Sequence, residues 1–355
     1  VAATHWLARI VRSERTRCRL WATCFQVLLL LVLVGLLLPH PRLIQPWSSI
    51  DSQTGVGLVR LQQHLGRLVF FVWSVGAFVA FSAFAIRSVR AARFLRDCTP
   101  IDPDTLSLDD FLSEQQKRQP GRCEKRRVRL LSTPTSAGPF CWQFHRPYIV
   151  LPEFMLGFGA ARLRLLLLHE LEHLRTGHPL ELFLQRLAEA VFWFHPVVWW
   201  ASHQSALARE FACDDAAVNS RSDVAAYLRA LLAVVEHNNG LTDEIPTSLT
   251  FGGETTVIAK RTRRLVTIAG RGVVEGERSL HAVGASAILV ATALLVAFVW
   301  LPVDVLASPR ANWSPWPRWT AGVLHDFGIR ARDFERYDNR FELHEFLEER
   351  PDDDG

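Results

Sequence analysis

The sequence predicts a mainly α-helical, multi-span membrane protein, with a folded domain between its spans that contains a small β-hairpin or sheet. Two observations support this fold class: three long apolar blocks, and arginines gathered on one side of those blocks. A hydrophobic content of 49% excludes a disordered chain. A net charge of +4 over 355 residues is too weak to indicate a direct nucleic-acid partner.

Three blocks free of Asp, Glu, Lys and Arg are long enough to cross a membrane, at residues 20–41, 68–86 and 279–303. About 20 helical residues cross roughly 30 Å of hydrocarbon. A buried core helix usually keeps a polar stripe, and these blocks show none. The first block also follows arginines, as in a signal peptide, but it is longer than a signal core and no cleavage site follows. We therefore interpret all three as spans.

Basic residues indicate the orientation of these spans. Arginines are frequent in residues 1–19 and throughout residues 87–278, whereas residues 42–67 hold few. Because cytoplasmic segments carry an excess of Lys and Arg, residues 1–19 and 87–278 are expected in the cytoplasm. The loop 42–67 and the acidic tail 304–355 are expected outside. Neither outer segment contains cysteine, so no disulfide framework is predicted.

Residues 87–278 have the composition of a folded domain. Residues 97–127 are polar and are interpreted as a linker. Short β-like runs at residues 128–131 and 148–151 surround a turn-forming Pro/Ser/Gly segment, and this pattern predicts a hairpin. Leucine-rich or amphipathic patterns predict helices over residues 160–175, 206–218 and 224–237.

The first of these helices contains an HExxH motif that starts at His169 and ends at His173. Residues four apart share a helical face, so both imidazoles can reach one metal ion. Glu170 lies beside them and can take a proton from water. The surrounding residues are apolar, so these polar groups need a reason beyond solvation. The similar pair His344-Glu345 lacks the second histidine and is interpreted as a solvated helix face.

A catalytic zinc takes three protein ligands and leaves one position open for water. Glu210 and Asp214 are the best candidates for the remaining roles, because they lie four apart on one predicted helical face. One would bind the metal, and the other would accept the outer N–H of a ligating histidine. The neighbouring Asp215 keeps an ordinary acidic face open as the alternative. Cys213 is a less usual ligand for a peptidase.

Residues 180–202 are apolar enough to suggest a fourth span, but they contain Glu181, Arg186 and Glu189, which are costly in lipid. A single crossing would also place the HExxH motif and Glu210 on opposite sides of the membrane. The stretch is too short for two crossings. We therefore predict an amphipathic segment that lies at the inner membrane surface or packs against the spans. An interfacial position suits its aromatic residues.

Several motifs follow one another within about residues 70–300: RRVRLLSTPTSAGPFCW, RPYIVLPEFM, HExxH, WFHPVVWW and REFACDDAAV. In this order they resemble the bacterial membrane zinc metallopeptidases of the β-lactam-sensor and antirepressor (BlaR/MecR) type. The resemblance implies a zincin-like (HExxH…ExxxD) domain that faces the cytoplasm from a bacterial inner membrane. It implies zinc bound by His169, His173 and Glu210, with Glu170 as general base. It also implies cleavage of a cytoplasmic protein, in the best-known members a transcriptional repressor.

Two features depart from that family pattern. Family members commonly carry Arg-Asp shortly after the second histidine, where this chain has Gly177-His178. β-Lactam sensors also carry a penicillin-binding domain after the last span, whereas residues 304–355 contain neither Ser-x-x-Lys nor Lys-Thr-Gly. We therefore expect no β-lactam sensing of that kind. A calcium loop in the tail is not supported, because YDNRFELHEF lacks the Asp-x-Asp-x-Asp-Gly spacing.

The predicted chemistry is metal-assisted peptide hydrolysis, with Glu170 passing a proton from water to the leaving amine and Asp214 orienting a ligand. His178, His195 and His203 are candidates for stabilising the oxyanion, and each is equally open to a structural role. Two other functions stay open. A housekeeping peptidase that degrades misfolded membrane proteins would cleave many unrelated substrates. A non-catalytic membrane receptor would bind no metal.

Overall fold

The computed structural model describes residues 1–11, 13–37, 52–101, 128–134, 138–143, 146–218, 220–240, 254–271 and 279–298. The chain divides into two compact units, one of residues 1–22 with 80–284 and one of residues 23–79 with 285–355. The predicted tail, residues 304–355, lies outside the described residues. The described part is mainly helical with a small sheet, which confirms that much of the predicted fold class.

The helices are α1 (Ala2–Ile10), α2 (Glu14–Leu37), α3 (Ser52–Asp97), α4 (Ala160–Thr176), α5 (His178–Val191), α6 (Pro196–Ala217), α7 (Arg221–Gly240), α8 (Glu254–Arg271) and α9 (Ser279–Phe298). The strands are β1 (Thr99–Pro100), β2 (Arg129–Thr133), β3 (Phe140–Trp142) and β4 (Tyr148–Pro152), and a 3₁₀ turn (Glu153–Gly157) follows β4.

Two described helices are long and apolar enough to cross a membrane, by length and composition, at Glu14–Val34 in α2 and His64–Asp97 in α3. Only 6% of the apolar window in α3 is buried, so most of its large apolar side chains are exposed. In α9 the apolar stretch Gly284–Leu295 lies within the third predicted span. The last residues of the third predicted span, 299–303, lie outside the described part.

The sheet has the strand order β1-β2-β4-β3. The predicted hairpin between β2 and β4 is wrong, because these strands are parallel neighbours with Leu130 opposite Ile149. Parallel strands need a connection that returns to the starting end of the sheet, and β3 lies within that connection. β3 itself pairs antiparallel with β4, with Cys141 opposite Ile149. The sequence between the two predicted strands therefore supplies a third strand as well as turns.

Helix α4 lies at the centre of the first unit. Leucines recur along α4 every three or four residues, at Leu163, Leu167, Leu171 and Leu174. These leucines pack against the sheet residues Leu130, Ile149 and Leu151. Leu166 faces a second cluster that includes Tyr227 and Leu265. The predicted helix 160–175 is confirmed, and it ends where expected. Gly177 there has a φ of 79°, a conformation that favours glycine, and its N–H donates to the Leu174 carbonyl.

Residues 180–202 form parts of two helices. Helix α5 ends at Val191, and α6 begins at Pro196, because proline is tolerated in the first turn of a helix but not in its interior. The predicted helix 206–218 is the second half of α6. A buried polar network joins α5 to α6, in which Gln185 contacts Ser202 and accepts from Arg209 at 2.7 Å.

The N-terminal segment packs on the same unit. Arg15, at the start of α2, forms an ion pair with Glu172 of α4 at 2.9 Å. Glu14 lies 3.7 Å from Arg264 of α8. The Trp21 ring meets Trp200 of α6 edge to face, with their centroids 5.7 Å apart. The start of α2 is therefore in direct contact with the helix that carries the HExxH motif.

Candidate active site

The two histidines of α4 and Glu210 of α6 converge on one point, and we call these three residues the ligand cluster. The Nε2 atoms of His169 and His173 lie 3.2 Å apart. Glu210 places Oε2 at 3.5 Å from His169 Nε2 and Oε1 at 3.6 Å from His173 Nε2. Nitrogen and oxygen ligands at about 2.1 Å from a tetrahedral zinc lie about 3.4 Å from one another. The spacing and donor types of the ligand cluster therefore fit zinc.

Glu170 follows His169 on α4, and its side chain is buried. Burial raises the pKa of Glu170 to about 7, with His169 opposing this rise and Glu210 adding to it. A carboxyl group with a pKa near neutral pH can both accept and release a proton during a reaction cycle. Glu170 thus lies next to the ligand residue His169, and its burial gives it a pKa suited to acid–base chemistry.

Asp214 lies one helical turn after Glu210 and faces the other side of the His169 ring. Its Oδ1 is 3.2 Å from His169 Nδ1, whereas Glu210 faces Nε2 of the same ring. Burial opposes ionisation of Asp214, but the charge of Arg261 and the hydrogen bond to His169 together outweigh burial and lower the pKa to about 2. An ionised carboxylate at Nδ1 holds the proton on that nitrogen and leaves Nε2 free to bind a metal.

Sequence reasoning missed Tyr227 of α7, which contacts Asp214, and Arg261 of α8, which contacts both Asp214 and Glu210. The Tyr227 hydroxyl donates to Asp214 Oδ1 at 2.8 Å and lies 2.9 Å from His169 Nδ1. Arg261 donates to both Asp214 oxygens at 2.6 and 3.0 Å and pairs with Glu210 Oε2 at 2.9 Å. Arg261 is one of the arginines of residues 87–278 that predict the membrane orientation. Tyr227 carries no motif that links it to HExxH.

The remaining candidate histidines occupy different surroundings. His178 is buried, and its Nδ1 lies 2.9 Å from His173 Nδ1. Burial and the neighbouring His173 lower the pKa of His178 to about 2, so its ring is neutral. His195 and His203 are exposed. Of the three, His178 is the one in contact with a member of the ligand cluster.

We expect Tyr227→Phe to lower the free energy of unfolding by about 1–2 kcal/mol, because a buried hydrogen bond to the Asp214 carboxylate is lost. The measurement is thermal or denaturant unfolding of the metal-free full chain in detergent. Tyr148→Phe, at a half-buried position on β4, is the matched control. Equal stabilities of the two variants would contradict a stabilising role for the Tyr227 hydroxyl.

Comparison with known proteins bears on this site. A family model described as BlaR1 peptidase M56 matches residues 41–261. The curated Regulatory protein BlaR1 of Bacillus licheniformis is 33% identical over 94 residues, which are 26% of this chain and 16% of that protein. The match thus spans less than a fifth of the relative's length. The family model, in contrast, covers more than half of the 355 residues and includes the ligand cluster. The chain therefore belongs to the BlaR1 peptidase M56 family.

Proposed function

We propose that this chain is a membrane-embedded zinc metalloendopeptidase that cleaves a cytoplasmic or membrane-proximal protein in regulatory signalling, such as the inactivation of a transcriptional repressor. The observation that carries the proposal is the convergence of His169, His173 and Glu210 beside the buried Glu170. Family membership supports peptide hydrolysis as the reaction. The two candidate spans support a location in the membrane.

Each residue of the site has a proposed role. His169 and His173 would hold the zinc through Nε2, and Glu210 through its carboxylate. A bound zinc ion would acidify a water molecule and polarise the scissile carbonyl. The Glu170 carboxylate accepts a proton from the attacking water and delivers it to the leaving amine.

The surrounding residues keep that arrangement in place. Asp214 accepts the Nδ1–H of His169 and so fixes the tautomer of the ring. Arg261 pairs with Asp214 and Glu210, which reduces the repulsion between the two carboxylates. Tyr227 donates to Asp214 and limits the orientations open to that carboxylate.

For the membrane topology we propose the arrangement predicted from the arginines, with residues 87–278 on the cytoplasmic side. The turn between α5 and α6 would lie at the inner membrane surface. Phe194, Trp199 and Trp200 support this, because their large side chains are 40–56% exposed on that turn and the start of α6. Aromatic side chains of this kind are enriched at membrane–water interfaces.

The proposal is tested by comparing the proteomes of cells that express the wild-type chain or Glu170→Gln. One or two proteins that are cleaved in wild-type cells and intact in the variant would support a signalling peptidase. Changes in many unrelated membrane proteins would indicate housekeeping degradation instead. Identical proteomes, together with purified protein that contains no metal and keeps its stability under chelation, would favour a non-catalytic receptor.

We expect the apparent zinc affinity to rise about tenfold per pH unit between pH 6 and 8 and to level off near pH 9. Burial disfavours protonation of His169, but hydrogen bonds to Asp214 and Glu210 outweigh it and raise its pKa to about 9. Below that pH the metal-free protein carries one proton there that zinc must displace. The measurement is competition with a chelator of known proton affinity.

Asp214→Asn is the informative companion variant for this pH dependence. The neutral amide cannot stabilise the His169 imidazolium as a carboxylate does, so the levelling-off should move to lower pH. A wild-type affinity that does not change between pH 7 and 8 would contradict displacement of this proton.

A further inference from the structure

The two ring nitrogens of His173 face different partners. Its Nε2 points into the ligand cluster, 3.2 Å from His169 Nε2 and 3.6 Å from Glu210 Oε1. Its Nδ1 lies 2.9 Å from Nδ1 of His178. Two ring nitrogens at this distance share one proton, so one ring donates and the other accepts.

The direction of this hydrogen bond follows from the ligand role proposed for His173. A nitrogen that binds a metal must offer a free lone pair, so the His173 proton resides on Nδ1. His173 therefore donates, and His178 accepts at its own Nδ1. The proton of the neutral His178 ring is then on its Nε2.

The fold supplies a partner at that nitrogen as well. Nε2 of His178 lies 3.4 Å from Sγ of Cys18, which belongs to the start of α2. The Cys213 thiol of α6 lies 3.5 Å from His178 Nδ1. All three side chains are buried. Partners from two other helices thus hold the His178 ring in one orientation.

The local backbone explains how a residue so close in sequence can reach His173. Gly177 separates α4 from α5 and has a φ of 79°, which ends α4 and lets α5 begin at the next residue. His178 is the first residue of α5 and so lies beside the last turn of α4. A side chain at position 177 would be strained in this conformation.

We propose that His178 is a positioning residue for His173. It accepts the Nδ1–H of His173, holds Nε2 of that ring toward the ligand cluster, and is itself oriented by the Cys18 thiol. This inference rests on the proposed zinc site. His169 and His173 would then each have an outer partner: the carboxylate of Asp214 for the first and a neutral imidazole for the second.

A neutral acceptor has a consequence for the charge of the site. Arg261 already faces two carboxylates, Glu210 and Asp214, and a third carboxylate at position 178 would add a further buried negative charge. The imidazole satisfies the His173 N–H without that charge. The Nε2–H of His178 also donates to the Cys18 thiol and so connects His173 to α2. An ionised carboxylate at position 178 would have no proton to donate.

The test measures zinc affinity of the purified full chain in detergent by competition with a chromogenic chelator. His178→Leu keeps bulk but removes the acceptor, and we expect its affinity to fall about 10- to 100-fold. His178→Asn keeps an acceptor where Nδ1 lies and should stay within about fivefold of wild type. The visible absorption spectrum of the cobalt-loaded protein should change in the leucine variant and not in the asparagine variant.

Two cysteine variants test the outer contact. Cys18→Ala should weaken zinc binding several-fold, because the His178 ring loses its partner at Nε2. Cys98→Ala is the matched control, since this buried thiol donates to the Phe94 carbonyl outside the site, and we expect wild-type affinity. Melting temperatures of the metal-free variants report whether any loss comes from packing alone.

Several results would overturn the inference. One is a wild-type zinc affinity in His178→Leu; another is an equal loss in the leucine and asparagine variants, accompanied by equal falls in melting temperature. Cys18, His178 and Glu181 also bring ligand atoms within 4.8 Å of one another. A second zinc equivalent that disappears in Cys18→Ala would therefore make His178 Nε2 a ligand and overturn the proposed hydrogen bond. A wild-type chain that binds no zinc would instead refute the proposed function itself.

Discussion

Glu170→Gln is expected to slow cleavage of the physiological substrate by about a thousandfold, within the 10²- to 10⁴-fold range that positioned acid–base groups contribute. Glutamine has nearly the same size as glutamate but cannot accept a proton from water. Because Glu170 is outside the proposed ligand set, zinc content should stay at the wild-type level. The measurement is the cleavage rate in isolated membranes, together with the zinc content of the purified variant.

The HExxH motif offers a matched control for this substitution. Glu172 is also a buried glutamate of α4, but it pairs with Arg15 at 2.9 Å and Arg175 at 3.0 Å, away from the ligand cluster. Glu172→Gln should therefore retain a cleavage rate within a few-fold of wild type. Cleavage by Glu170→Gln at the wild-type rate would end the proposed mechanism.

Glu210→Gln is expected to weaken zinc binding by more than about a hundredfold and to reduce cleavage in parallel. Loss of an outer hydrogen-bond partner of a metal ligand already costs 10- to 100-fold in affinity, and loss of an anionic ligand should cost more. The amide oxygen is a weaker donor to zinc than a carboxylate, and the ion pair with Arg261 is lost as well. Zinc affinity by chelator competition is the measurement.

Asp215→Asn is the control for this second substitution. Asp215 lies on the same helix, but its carboxylate is bound by both terminal nitrogens of Arg264, at 2.6 and 2.7 Å. We expect its zinc affinity to stay within about threefold of wild type. A wild-type affinity in Glu210→Gln would assign the third ligand position to another residue, and Cys213 would be the next to test.

Much of the candidate site could be predicted because its information is local. His169 and His173 are four residues apart, as are Glu210 and Asp214, and helical periodicity alone places each pair on one face. The spacing of the leucines on α4 likewise predicts a buried helix. The resemblance to the BlaR/MecR-type peptidases, based on the order of five motifs, is confirmed by the family match over residues 41–261.

Tertiary structure decides features that local periodicity does not contain. The predicted hairpin of β2 and β4 is wrong because β3 lies between them in the sequence. The chain reverses direction into β3 and again into β4, so β2 and β4 run parallel. The sequence of residues 180–202 predicts an amphipathic segment, and the structure divides these residues between α5 and α6, because Pro196 permits a new helix to start there. Helix α3 begins at Ser52 and ends at Asp97, so it extends beyond the predicted span 68–86 at both ends.

From the sequence alone follow the mainly helical fold class and the pairing of residues within each helix, because these depend on spacings of three to four residues. The family follows as well, because it depends on the order of motifs along the chain. Packing of separate helices determines the rest. It brings Glu210 to the two histidines, Tyr227 and Arg261 to Asp214, and Cys18 to His178. These contacts join residues up to 160 positions apart. Their formation depends on how buried surfaces fit together, and no spacing along the chain encodes that.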